Sequence, residues 1–160
     1  VYKRQAFNLP FRELMFNAAI TERCLNNIPT WTKQKQALKE ISRILKRDGL
    51  FTMVEGIHER LKRLNALRKH FGLREIKSPW HDLNIRERKF RKYVSSYFRV
   101  ISLRGFGIYY VISRLTYPLS IYPDEPKYDS GINNAARKVS SILSGLDDLS
   151  HELCIILKKR

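Results

Sequence analysis

Residues 17–56 read NAAITERCLNNIPTWTKQKQALKEISRILKRDGLFTMVEG, and their order decides the fold class. Phe16–Thr21 is a short apolar run of the kind that forms a buried parallel strand, broken by Asn26, Asn27 and Pro29. Thr30 is a good N-cap for a helix from Trp31 to about Lys46. Leu38, Ile41 and Leu45, flanked by Trp31, Ala37 and Ile44, give that helix one apolar stripe. Arg43, Lys46 and Arg47 suit its negative end, and Gly49 after Asp48 is placed to take the left-handed conformation that closes it. Leu50–Val54 is a second strand, ending in Glu55. Strand, helix and strand in this order form a right-handed parallel crossover. Glu22 and Glu55 then both fall at strand ends on one sheet edge, where open α/β sheets bind ligands.

Working outward, residues 1–5 read as the tail of a strand, and AFNLPFRELM as a loop in which Pro10 blocks a helix. Downstream, a helix is expected over His58–Phe71 with Gly72 as its stop. A loop with Pro79, Trp80 and His81 follows, and Asn84 with Glu87 resembles a capping box opening a third helix. Phe98–Leu103 reads as a strand, Gly105-Phe-Gly107 as a bulge or bend, and Ile108–Ser113 as a further extended run. Pro118, Pro123 and Pro126 mark a loop over Tyr117–Asp129. Ser130 caps a helix closed by Gly145, with Asn133 and Asn134 at its start, and Glu152–Leu157 is the last strand. The expectation is an α/β fold of four or five strands with helices on both faces.

The composition bounds the function. At 160 residues the chain is one domain or a piece of one, and it opens on Val1 in mid-loop, so a preceding segment is expected. No apolar run suits a bilayer crossing, which needs about 20 residues, and no signal-peptide pattern opens the chain. Cys24 and Cys154 have no metal-type spacing and read as reduced thiols of a cytoplasmic protein; Cys154, inside the apolar run LCIIL, is expected in the core, and Cys24 follows the strand-end acid, where it can approach a ligand. Lys and Arg number 31 against 15 Asp and Glu, a net charge of +16, and the bias is strongest over Arg60–Arg104. Such a field is either a plain basic surface or an attractor of nucleic acid, acidic membrane or anionic substrate. Neither GxGxxG nor GxxxxGK[ST] occurs.

Taken together, LPF at 9–11, FN at 16–17, ITERCLNNIP at 20–29, ISRILKRDG at 41–49 and LFTMVEG at 50–56 resemble the second half of the class I S-adenosylmethionine-dependent methyltransferases. YFRVISLRGFG, PKYDSGINNAARKV and SHELCIILKKR resemble that family's last two strands with the helical insertion between them. The resemblance implies the C-terminal half of a Rossmann-like sheet, mainly parallel with one antiparallel strand and helices on both faces. On this reading residues 1–160 are a partial domain lacking the glycine-rich cofactor-binding half, and residues 114–146 form a loop–helix insertion. Asn17 stands where the family commonly has Asp, and Arg47-Asp48 where it has Pro-Gly.

The resemblance also implies a site. Gln5 takes the place of an acid near the adenine amine, and its amide oxygen can still accept a hydrogen bond there. Ala6 takes the place whose backbone amide faces the ring, and Glu22 with Arg23 lies beside the methionine part or the acceptor. Glu22 and His58 are the candidate proton-handling residues, and Glu55, Trp80, Tyr109 and Asn133 the candidate acceptor-binding ones. Each has a plainer reading: a Glu22–Arg23 ion pair, a surface His58, Trp80 and Tyr109 as core or sheet residues, and capping by the asparagines. The implied function is methyl transfer from S-adenosylmethionine to a small-molecule or biosynthetic acceptor, as a truncated or split enzyme completed by an upstream half or partner chain. The rival is a basic nucleic-acid-binding or catalytically inactive scaffold module on the same fold.

Overall fold

The central strand–helix–strand forms in the expected order, with its joints displaced. A computed structural model describes residues 5–160; apart from Gln5, the strand tail expected over residues 1–5 and the opening at Val1 lie outside the described residues. Strand β1 (Phe16–Glu22) leads through a loop to helix α1 (Trp31–Ile44), and β2 (Leu45–Gly56) follows without a break. Thr30 caps α1 as expected, its side chain accepting the Lys33 N–H at 3.2 Å. The helix ends at Ile44, two residues early, and the left-handed residue is Asp48 (φ 61°) rather than Gly49. Gly49 is needed for space instead: a Cβ there would stand 2.9 Å from the Lys46 carbonyl oxygen. Phe16 pairs with Leu45 and Ala18 with Leu50, so residues 46–49 form a protrusion in β2.

The rest of the chain supplies α2 (His58–His70), α3 (Glu87–Val94), β3 (Phe98–Gly105), α4 (Gly107–Val111), α5 (Tyr117–Ser120), α6 (Gly131–Ile142) and β4 (Glu152–Lys159). A π-helical turn at Ile112–Thr116 joins α4 to α5, and a 3-10 turn spans Asp147–Leu149. The sheet has four strands in the order β1-β2-β4-β3 and is mixed. The expectation of mainly parallel strands finds one parallel pair of neighbours, β1–β2. At the far end of β4, the Arg160 N–H donates to the carbonyl of Tyr97, just ahead of β3, at 3.0 Å.

The chain divides into two compact units. The first holds Val1–Ile57, Ser78–Leu103 and Cys154–Arg160, with the sheet at its centre. Its core joins Ala37, Leu38 and Ile41 of α1 to Phe51 and Met53 of β2, Phe90 and Val94 of α3, and Ile155 and Leu157 of β4. The Phe51 and Phe98 rings lie 5.9 Å apart. Among the described residues β1 is the edge strand, with β2 its one neighbour in the sheet, and Ile20 is 78% exposed; the burial expected for Phe16–Thr21 is not met.

The second unit holds His58–Lys77 and Arg104–Leu153. The extended run expected over Ile108–Ser113 is helical. Its β-branched and aromatic composition suits a strand, but the Tyr110 N–H donates to the Phe106 carbonyl at 3.0 Å and the Ser113 hydroxyl to the Tyr109 carbonyl at 2.6 Å. The two glycines before it allow close packing: a Cβ on Gly105 would meet Asp147, and one on Gly107 the Leu146 carbonyl. Helix α3 begins at Glu87 with Arg86 at its N-cap, and Arg86 makes no side-chain capping hydrogen bond. Asn84 donates to the Ser78 hydroxyl at 2.7 Å in the first unit, and Glu87 pairs with Arg91. Ser130 caps α6 as expected, accepting the Asn133 N–H at 3.2 Å.

Candidate functional site

At the C-terminal ends of β1 and β2 the chain builds a rigid loop around one buried acid. Glu55 closes the apolar run LFTMV, so the strand carries its carboxylate wholly out of solvent. Its Oε1 accepts the N–H groups of Cys24 (3.1 Å) and Leu25 (3.0 Å) and the Thr21 hydroxyl (3.3 Å), and Oε2 accepts the Asn26 N–H at 3.0 Å. With its nitrogen facing the carboxylate, the Asn26 amide also donates to Oε2 at 3.1 Å and accepts from the Gly56 N–H at 2.9 Å. Burial raises the Glu55 pKa, and the hydrogen bonds oppose that rise without cancelling it.

The same loop is held from α1. Gln34, buried on the apolar stripe three residues before Ala37, donates through Nε2 to the carbonyls of Leu25 (2.9 Å) and Leu83 (3.0 Å). Arg23 adopts φ 47° and its N–H donates to the Val54 carbonyl at 2.8 Å, which extends the β1–β2 pairing past Glu22. A positive φ at a residue other than glycine is strain that the surrounding bonds must hold.

This loop forms one wall of a groove of about 600 Å³ along β1. Gln5, Ala6, Thr21, Arg23, Cys24 and Asn27 give it polar groups, and Leu9, Phe11, Ile28 and Ile41 give it apolar walls. The LPF segment is fixed in that wall by an ion pair on α1. Glu40 accepts the Leu9 N–H at 3.1 Å and takes both the Nε and Nη2 of Arg43 at 2.8 Å. Arg43 in turn donates to the carbonyls of Phe11 (2.8 Å) and Leu9 (3.1 Å). Its hydrogen bonds hold the Glu40 carboxyl below the usual carboxylate range.

The sequence candidates divide accordingly. Gln5, Ala6 and Arg23 share this groove, while Glu22 is exposed at the tip of β1. The Glu22–Arg23 pair weighed from sequence does not form; Arg23 instead lies 3.5 Å from Asp82. Glu55 sits beneath the site with both oxygens occupied by the chain's own donors. Trp80, also in the first unit, is 96% exposed. His58, Tyr109 and Asn133 belong to the second unit. His58 is exposed at the start of α2, and Tyr109 is half-buried with its ring 5.6 Å from that of Tyr110. Asn133 is buried, donates to the carbonyls of Lys127 (3.1 Å) and Tyr128 (2.8 Å), and leaves its own Oδ1 without a partner among the described residues. Cys24 lines the groove with a thiol whose pKa is raised by burial and then by Glu55. The sequence reading missed Gln34, although a polar residue on a buried helical stripe is a visible signal.

Residues 1–53 match the family described as a methyltransferase domain. Among solved structures, a complex of the Haloferax volcanii Trm112 methyltransferase activator with its candidate methyltransferase aligns over 97% of this chain and 59% of the other, at 14% identity and a TM-score of 0.55. A SAM-dependent methyltransferase from Methanosarcina mazei aligns over 98% and 65%, at 15% identity and 0.54. One from Thermotoga maritima aligns over 97% and 61%, at 18% identity and 0.52. The chain thus spans 59–65% of the length of these structures. No curated protein matches the sequence. Among the described residues, no helix is long and apolar enough to cross a membrane.

Proposed function

We infer that this chain, which shares its fold with the class I S-adenosylmethionine-dependent methyltransferases, forms part of such an enzyme and acts on a small-molecule or biosynthetic acceptor. The observation that carries the reading is the groove along β1, which gathers Gln5, Ala6 and Arg23 beside the strand-end loop. Its lining suits a cofactor with a heteroaromatic ring and a charged tail. Amides at Gln5 and Asn27 offer ring-edge hydrogen bonds, Leu9 and Ile28 offer apolar contact, and Arg23, although 3.5 Å from Asp82, keeps more than half of its side chain exposed as a cation. S-adenosylmethionine, when bound, supplies an electrophilic methyl group on a sulfonium. The protein's part is alignment, worth roughly 7–11 kcal/mol when nucleophile and methyl are held at near-attack geometry. Glu55 and Gln34 contribute by fixing the backbone of residues 23–26. Glu22 of the first unit, or else His58 of the second, is the group we assign to proton removal from an acceptor that must lose one.

The reading includes a missing complement, either an upstream segment or a partner chain. The exposed β1 face and the share of related structures that the chain spans both support it. Calorimetric titration with S-adenosylhomocysteine tests it. The chain alone should bind more weakly than ~100 μM, and the chain completed by a strand, glycine-rich loop and acidic residue should bind at ~1–10 μM, a gain of at least ~1.4 kcal/mol. Micromolar binding by the chain alone would overturn the missing complement. Absence of methyl transfer by the completed protein would overturn the activity.

A further inference from the structure

The chain's basic excess is neutralised unevenly. In the second unit the arginines of α2 and its flank are largely engaged: Arg63 pairs with Asp148 at 3.0 Å and Arg74 with Glu125 at 3.2 Å, and Arg68 donates to the carbonyls of Arg74 and Arg114. In the first unit the pattern is reversed around α1 and α3. The carboxylates there already hold the chain's own cations, Glu40 with Arg43, Glu87 with Arg91 and Asp82 with Arg23. Lys33, Lys39, Arg86, Arg88, Lys89 and Lys92 are all exposed, with no ion pair among the described residues.

Lys33 stands away from α3, 5.2 Å over the Phe7 ring, while the α3 cations lie beside Lys35 of α1, whose ammonium is 5.9 Å from the Tyr93 ring. Tyr93 of α3 donates its hydroxyl to the Lys35 carbonyl of α1 at 3.1 Å, and its ring lies 5.9 Å from that of Trp31. Between the helices runs a shallow groove of about 80 Å³ with Trp31 and Gln34 from α1 and Arg86 and Lys89 at the start of α3. A pocket for a small ligand is usually larger, roughly 300 Å³ or more, so this groove suits a chain lying over it. The remaining lining comes from Leu83 and Asn84, in a segment tied down by the Leu83 N–H donating to the Asn26 carbonyl at 2.8 Å. Three residues before Leu83 stands Trp80, 96% exposed.

We propose that this α1–α3 face, with Trp80, is a binding surface for single-stranded nucleic acid. Cations on two packed helices follow the phosphates, and an exposed aromatic supplies a base-stacking plane, the pairing that sequence-tolerant single-strand binders use. A membrane surface fits less well. The apolar residues of α3, Phe90 and Val94, are buried in the core, so the helix has no apolar face to insert. The surface is independent of the methyl-transfer reading and stands or falls without it.

Fluorescence anisotropy with the full chain and labelled oligo(U) and oligo(dT) of about 20 nucleotides, over roughly 50–200 mM salt, tests the proposal. Binding should appear at the low-salt end and weaken with a log–log slope near −3, the value for about four phosphate contacts on a single strand. The combined substitutions Arg88→Glu, Lys89→Glu and Lys92→Glu should lower affinity by about tenfold or more and flatten that slope. Trp80→Ala should lower affinity by about tenfold at every salt concentration and leave the slope unchanged. Lys62→Glu with Lys69→Glu, on α2, serves as the charge control and should change affinity by less than about twofold in all. Far-UV circular dichroism checks that each variant is folded. No anisotropy change at low salt overturns the proposal, as does an equal loss per charge from both reversals or an unchanged Trp80→Ala. Binding to phosphatidylserine vesicles through the α3 cations without oligonucleotide binding also overturns it and assigns the face to membranes.

Discussion

The Glu55 carboxylate accepts the backbone N–H of Asn26 at 3.0 Å across a separation of 29 residues, and so fixes the end of one strand to the loop leaving another. Glu55→Ala leaves the amides of Cys24, Leu25 and Asn26 buried without that acceptor and should cost more than ~3 kcal/mol. Glu55→Gln keeps the shape but turns an NH2 group toward an N–H, and should cost about 1–3 kcal/mol. Because the folded-state pKa is raised, the folded protein holds this proton more tightly than the unfolded chain. The contribution is complete below the unfolded value of 4.5 and is lost as pH rises through the folded one. Urea unfolding at a series of pH values should show that decline in the wild type and lose it in Glu55→Gln.

The Glu40–Arg43 pair has the opposite sign. Arg43 lowers the Glu40 pKa, so the stabilisation is present above 4.5 and is lost as pH falls through the folded value. Arg43→Ala removes the bidentate pair together with the bonds to Leu9 and Phe11, at a cost of about 1–2 kcal/mol. Since Leu9 and Phe11 line the β1 groove, hydrogen exchange of residues 8–11 should accelerate in this variant while that of β2 is unchanged.

Gly107→Ala should destabilise the second unit by about 1–3 kcal/mol, because the added methyl meets backbone at Leu146 rather than a movable side chain. Gly131, with nothing within reach of an added Cβ, is the internal control, and Gly131→Ala should leave the urea midpoint within about 0.5 kcal/mol of wild type.

For the proposed chemistry, Glu22→Gln should lower kcat of the completed enzyme by about tenfold or more and His58→Ala by less, within the range of lost general-base assistance. Wild-type turnover in both variants would remove the pair from the mechanism.

The strand–helix–strand centre was legible because Thr30, the stripe through Leu38 and Ile41, and the β-rich LFTMV run agree with one another. Local agreement failed at Ile108–Ser113, where strand-like residues follow a glycine that packs against the distant Leu146 carbonyl. The left-handed turn was read onto Gly49, yet Asp48 takes it, because Gly49 is required for clearance from Lys46. Glu55 was recognisable as a strand-end acid. Three of its partners are the backbone amides of Cys24, Leu25 and Asn26, which carry no residue-type signature, so its anchoring role could not be read from the chain. Gln5, Ala6 and Arg23 came from family resemblance, and their common groove follows from how LPF is pinned to α1.

The protrusion at residues 46–49 has a consequence for engineering and for divergence. Register with β1 resumes at Leu50 regardless of the residues looped out before it, and Lys46, Arg47 and Asp48 are exposed, with the Asp48 carboxylate latched to Lys158 at 2.9 Å. Chain length can therefore vary here without propagating a frame change into the sheet. The protrusion is the natural port for a fluorophore or an inserted peptide, and the place where relatives of this chain can differ by insertion while keeping every strand partner.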